Sequence, residues 1–165
     1  MKNTRTNTTR QAACILAGSI LALLAAPAIH ADDAAWTGLN SDLWSDIGGF
    51  GNWDNAPGPV PGTGSGETAT FNTTSANTTI DLGAGVTIQT VKFDTAFADA
   101  YTIGTGGANG QTLTLEPAGA VNMTSTVGFD QTINATLVLG TGNTTDAFTF
   151  TNHSLSNSLI FGGDI

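Results

Sequence analysis

Five short apolar pairs recur along this chain at near-constant spacing: Ala69 and Phe71, Val91 and Phe93, Leu113 and Leu115, Leu137 and Leu139, Leu159 and Phe161. Their second members stand 22, 22, 24 and 22 residues apart. Each pair brackets one residue, Thr70, Lys92, Thr114, Val138 or Ile160, that points the other way in an extended chain. A fixed period in this range marks a solenoid, whose repeat is one coil unable to bury its apolar face alone. The two-residue alternation makes the coils strand rather than helix. Residues 71, 93, 115, 139 and 161 are therefore expected to stack in one apolar column, with Asn72, Asp94, Glu116, Gly140 and Gly162 beside it.

A second set of strands lies between these rungs, over residues 79–82, 101–103, 121–123 and 148–150. Its representatives Ile80, Ile103, Met123 and Phe150 are 23, 20 and 27 residues apart, and a looser third set falls at 86–88 and 132–133. Two or three strands per coil suit a β-helix, with corners of variable length. Asn72-Thr73-Thr74 and Asn143-Thr144-Thr145 fit such corners, because their side chains bond to nearby backbone. A β-sandwich or jelly roll is the rival fold, since it also needs short alternating strands. The regular ladder favours the solenoid. It also argues against disorder, despite twenty-one glycines and few charges.

Residues 1–31 have the parts of a secretory signal: a basic start with Lys2, Arg5 and Arg10, an apolar run over 12–26, and small residues before a cut. Cleavage is expected after Ala31, ahead of Asp32 and Asp33. The apolar run is shorter than the roughly twenty residues a spanning helix needs. An exported product is implied, outside the cell or at a bacterial surface or outer envelope, with no membrane insertion of the mature chain. Cutting there removes three of four basic residues and the one cysteine, Cys14, so no disulfide can form. The remaining thirteen acids face Lys92 alone, for a net charge of −12. Nucleic acid and anionic membranes are poor partners for such a surface.

Residues 32–66 form a Trp-rich cap and a Pro/Gly linker: an opening block over 32–56 with Trp36, Trp44 and Trp53, then a stretch over 57–66 in which Pro57, Pro59 and Pro61 forbid a helix. The solenoid coils are placed at 67–165. The spaced tryptophans, with Asn52-Trp53-Asp54, Pro57 and Phe71, lead into Val91-Lys92-Phe93-Asp94, Tyr101-Thr102-Ile103 and Leu113-Thr114-Leu115. With the signal segment, this order resembles the amino-terminal part of large exported proteins carrying autotransporter-associated β-strand repeats. That resemblance implies a right-handed parallel β-helix displayed or released outside the cell, usually far longer than this chain. The family's glycine-threonine-leucine-threonine-leucine unit and its translocator barrel have no counterpart in these 165 residues.

Candidate chemistry is sparse. Trp36, Trp44 and Trp53 could contact a sugar or protein through their ring faces, or cap the first coil; capping is the stronger reading. Asp94 and Glu116 follow equivalent ladder positions, so coils in register would bring them about 5 Å apart, the spacing of a retaining glycosidase pair. Asp42, Asp46 and Asp54 could collect calcium, though solvated acids explain them better. His30 leaves with the signal and His153 stands alone, which gives zinc or a triad no partners. The stretch 61–68 has the glycines of a phosphate loop but carries Glu67 where the lysine belongs, so it reads as a flexible linker. Asn77-Thr78-Thr79 is a sequon of the kind chance supplies in an Asn- and Thr-rich chain.

These readings imply no cofactor and no metal. The function they favour is a non-catalytic passenger or scaffold segment of a secreted or cell-surface β-helical protein, an adhesin for example, facing an extracellular surface or polysaccharide. The alternative is a carbohydrate-active β-helix enzyme or glycan-binding module. Gly162-Gly163-Asp164-Ile165 brings no capping segment after the last rung, so further coils of the same protein are expected downstream.

Overall fold

β-Branched and apolar residues, alternating between Gly, Asn and Asp turns, give ten short strands and no helix among the described residues, 33–140 and 145–165 of this computed structural model. The expected signal segment, residues 1–31 with Cys14 and His30, lies outside them. The strands are β1 (Ala34–Ala35), β2 (Thr68–Phe71), β3 (Thr79–Ile80), β4 (Val86–Phe93), β5 (Thr102–Ile103), β6 (Thr112–Met123), β7 (Gln131–Ile133), β8 (Thr136–Leu139), β9 (Thr149–Asn152) and β10 (Leu159–Phe161).

All eight pairings among these strands are parallel. One sheet runs β1-β2-β4-β6-β8, with β9 also paired to β6, and the other runs β3-β5-β7-β10. From β2 to β7 the chain alternates between them, so each crossover that parallel neighbours require carries a strand of the opposite sheet. Sandwiches and jelly rolls are built on antiparallel pairing instead. The observed topology is compatible with a solenoid.

The register confirms one part of the ladder and corrects the rest. Phe71 pairs directly with Phe93, their rings 5.5 Å apart. The next residue in that column is Met123, not Leu115, and the one after is Asn152. Leu115 stacks instead between Ile88 and Leu139. Phe161 belongs to the other sheet, in the column Ile80, Ile103, Ile133, Phe161. The cause is a register shift between Ile88 and Thr90, where residues 116–119 of β6 are set against Gln89 alone. This insertion splits the larger sheet into two panels: 86–88 faces Leu113 to Leu115, whereas 90–93 faces Ala120 to Met123. In the Phe71 column the steps are 22, 30 and 29 residues. The even period near 22 runs across three faces of the winding: Phe71 and Phe93 lie in one panel, Leu115 and Leu139 in the other, and Phe161 in the smaller sheet.

Inward residues of all panels merge into a single core containing Phe71, Phe93, Ile80, Ile103, Leu113, Leu115 and Met123, all fully buried. Each such side chain contributes about 1.5–3 kcal/mol on burial. The outward partners Thr70, Lys92 and Asn122 stay half-exposed.

The two ends differ. At the front, β1 covers β2, and Trp36 N–H donates to the Thr70 carbonyl at 2.8 Å. Leu43 bridges Asp81 beside β3, and Trp44 N–H donates to the Asp81 carbonyl at 2.8 Å. Both leading sheet edges are thus occupied by the opening block. At the tail, β9 and β10 each pair on one side only. Leu137 N–H donates to the Asp164 carbonyl at 2.8 Å, so residues 164–165 begin to cover β8. Phe150 remains 40 % exposed, and Leu139, Leu159 and Phe161 are half-buried.

Candidate functional site

The opening block has almost no regular strand, so side chains supply its hydrogen bonds. Asn52, fully buried, accepts from the Asn40 and Ser41 amides at 3.0 Å each and donates to the Leu43 carbonyl at 2.8 Å. This places Trp53 under Trp44 and Trp36, with ring centroids 4.8 and 5.2 Å away, edge-on to both. All three indoles lie about one ring-width from Phe71, at 6.0 to 6.2 Å. Their N–H groups are committed to backbone: Trp36 to Asn77 at 3.0 Å, Trp44 to Pro61 at 2.7 Å, and Trp53 to Trp44 at 2.8 Å. None is more than 2 % exposed. The tryptophans therefore offer no ring face to a ligand, and they cover Phe71 as a cap would.

An open groove of about 680 Å³ lies beside this cluster, lined by Trp44, Ile47, Pro57, Val60, Val86 and neighbouring backbone. The size suits a small ligand. No titratable side chain lines it, so it can hold an apolar group by contact but offers no acid or base.

The glycine stretch expected to be a flexible linker is pinned. Glu67 is fully buried, and its carboxylate accepts from the Gly62 amide and from Thr63 N–H at 3.1 Å. Glu116 reaches across from β6 to accept from Gly66 N–H at 2.8 Å. The backbone donors that would cradle a phosphate are thus filled by the chain's own carboxylate. The sequence shows the acid beside the glycine-rich stretch, but not that its carboxylate reaches the Gly62 and Thr63 amides.

The structure does not assemble the Asp94 and Glu116 pair. Asp94 follows Phe93 just past the end of β4, where it meets Lys92 at 2.6 Å and accepts from Thr124 Oγ1 at 3.0 Å. Glu116 stands at the bulge beside Gln89, five residues back along β4 from Asp94, or about 16 Å at strand rise. The register shift that moved Leu115 also separates these carboxylates, and a hydrolytic pair requires them close.

Asp46 and Asp54 bond to nearby groups of the opening block. Asp46 accepts from Ser41 Oγ at 2.5 Å, Gly48 N–H and Asn40 Nδ2 at 2.8 Å each, and these bonds hold its carboxyl below the usual range. Asp54 accepts from Ala35 N–H at 2.8 Å, and Asp42 is exposed. Among the described residues no three acids, histidines or cysteines converge as a metal site. His153 is exposed beyond β9.

Three buried polar residues escaped the pattern: Asn52, Glu67 and Gln131. Gln131 accepts from Tyr101 N–H at 3.1 Å and donates to the Asp99 carbonyl at 2.8 Å, tying one corner to the next. No protein-family model, curated protein or solved structure matches the chain. The likeness to autotransporter-associated strand repeats rests on the residues quoted above.

Proposed function

We propose that this chain is a non-catalytic passenger or scaffold segment of an exported, cell-surface or secreted protein, wound as a right-handed parallel β-helix. The observation that carries this reading is the all-parallel pairing of short strands around one continuous core, closed at its front by three buried tryptophans over Phe71. A body of this kind is a stacked winding that holds its shape by packing between neighbouring coils.

The separation of Asp94 from Glu116, the burial of the tryptophans and the lack of titratable groups in the groove support a structural role over sugar hydrolysis. An adhesin or scaffold needs a stable body outside the cell, and this one is built without disulfides from a continuous core. Cell fractionation with amino-terminal sequencing of the product tests the address: the mature chain is expected outside the cytoplasm, starting at Asp32. An uncleaved cytoplasmic chain would refute export. Turnover of any sugar across a broad polysaccharide panel would refute the non-catalytic role.

A further inference from the structure

Two large aromatic side chains project from one side of the winding: Phe97 is 73 % exposed and Phe129 51 % exposed. Phe97 lies in the corner between β4 and β5, and Phe129 in the corner of the next coil, between β6 and β7. Both corners have a neighbour on each side. Thr95 Oγ1 donates to the Asn72 carbonyl at 2.7 Å ahead of the first, and Asn157 Nδ2 donates to the Val127 carbonyl at 3.0 Å behind the second. These rings are therefore exposed because they point outward, with coils already stacked before and after them. The corners also meet where the rings leave the backbone. Gln131 Nε2 donates to the Asp99 carbonyl at 2.8 Å and to the Phe129 carbonyl at 3.1 Å, and a Cβ on Gly128 would lie 3.9 Å from the Ala96 carbonyl oxygen. Ala96 and Gly128, each just before its phenylalanine, are small and exposed.

Charge decides what such a surface takes. Asp99 and Asp130 stand beside the two rings, half-exposed and exposed. One oxygen of each carboxylate accepts a backbone amide, from Ser75 at 2.8 Å and from Ser158 at 2.6 Å, and the other accepts no hydrogen bond among the described residues. Lys92, the one lysine or arginine among the described residues, is held by Asp94 at 2.6 Å. The corner thus joins aromatic faces to carboxylates that have no cation of their own. An arginine or lysine is drawn both to a phenyl face and to an adjacent carboxylate. An anionic surface is repelled by a chain of net charge −9, and a neutral sugar gains nothing from it. We propose that the Phe97 and Phe129 corner is a docking surface for a basic polypeptide segment that alternates arginine or lysine with apolar side chains. The apolar side chains cover the rings while the cations meet Asp99 and Asp130. This goes beyond the scaffold reading, which assigns no contact site, and does not depend on it.

Fluorescence anisotropy of a labelled synthetic peptide of alternating arginine and leucine, titrated with the intact chain at physiological ionic strength, tests this. Saturable binding is expected, and a peptide of alternating glutamate and leucine is expected not to bind. The Phe97→Ser, Phe129→Ser double variant is expected to raise the dissociation constant by about tenfold or more, with indole emission and exchange protection in β4 and β6 unchanged. Asp130→Asn is expected to weaken binding too. Asp42→Asn removes the same charge from an exposed place in the opening block and is expected to leave binding as it was. Should the double variant disturb the fold, Phe97→Ser alone replaces it with the same criterion. Absence of saturable binding, binding insensitive to the two phenylalanines, or equal weakening by Asp42→Asn overturns the proposal. Dextran bound through the same two rings, with the basic peptide left unbound, would assign the corner to sugar and overturn it as well.

Discussion

Trp53 donates its indole N–H to the carbonyl of Trp44 at 2.8 Å while the two rings meet edge-on at 4.8 Å. One residue thus supplies both the area that covers Phe71 and the hydrogen bond that satisfies a buried carbonyl. Removing the two contributions separately gives graded outcomes. Trp53→Phe keeps an aromatic ring but leaves the Trp44 carbonyl unpaired, a loss of about 1–3 kcal/mol. Trp53→Ala also opens a cavity against Phe71, for about 3–5 kcal/mol. Urea unfolding followed by circular dichroism is expected to rank them in that order. Equal stability of both variants and the parent would refute the capping role.

Glu67 offers a second test at the turn it pins. Its carboxylate accepts from Gly62 and Thr63 inside the protein. Glu67→Ala orphans these donors and is expected to cost about 1–3 kcal/mol, with faster exchange of the Gly62 and Thr63 amides. Glu67→Gln retains one carbonyl acceptor and is expected to recover part of the loss. Exchange at both amides unaltered by Glu67→Ala would show that the turn holds without its acid.

The acid limb of stability follows from depressed carboxylates. Asp94 is lowered first by its hydrogen bond to Lys92, against some desolvation, with help from Thr124 and Thr95. Asp81 is lowered by Gly83 N–H and Gln111, and Asp46 by Ser41, Gly48 and Asn40. A carboxyl whose folded value lies below the ordinary 3.8 stabilises the fold fully above that value. The contribution is lost as pH falls through the depressed range. Urea midpoints are therefore expected to drop as pH is taken down past 3.8, and Lys92→Met is expected to make that drop shallower. On the alkaline side, burial and then Asp99 raise the Tyr101 phenol, which donates to the Thr73 carbonyl at 2.6 Å. Its contribution is present below 10.0 and declines as pH rises beyond it. Tyr101→Phe is expected to remove that alkaline decline.

How much of this was readable from residues alone depended on whether the determinant was local. Alternation placed Phe71 and Phe93 on one inward face, and they do pair. Leu115 has the same local pattern, yet its partner is set by the insertion over 116–119, where Ala118 takes φ +61° and buried Gly119 leaves no room for a Cβ, which would lie 2.7 Å from the Glu116 carbonyl oxygen. Nothing in Leu113-Thr114-Leu115 announces that shift. Capping by the tryptophans was the favoured reading, but the carbonyls of Asn77 and Pro61 that fix the Trp36 and Trp44 indoles lie far off in sequence and were not visible. Glu67 looked like a defect in a phosphate loop because the pattern shows residue type but not which amides an acid can reach.

The revised register can be checked by cross-linking on the outward face. Lys92 pairs with Asn122, and parallel neighbours place their Cα atoms about 4.8 Å apart, within disulfide reach. Thr114 pairs with Thr87, five residues back along β4 from Lys92, or about 16 Å at strand rise. The even ladder instead puts Lys92 beside Thr114. In a Cys14→Ser background, the Lys92→Cys, Asn122→Cys double variant is expected to oxidise to an intramolecular disulfide seen by mass spectrometry after alkylation. The Lys92→Cys, Thr114→Cys variant is expected to remain reduced under the same conditions. The reverse outcome would restore the even ladder, return Leu115 to the Phe93 column and bring Glu116 next to Asp94. It would therefore reopen the two-carboxylate chemistry that the present register removes.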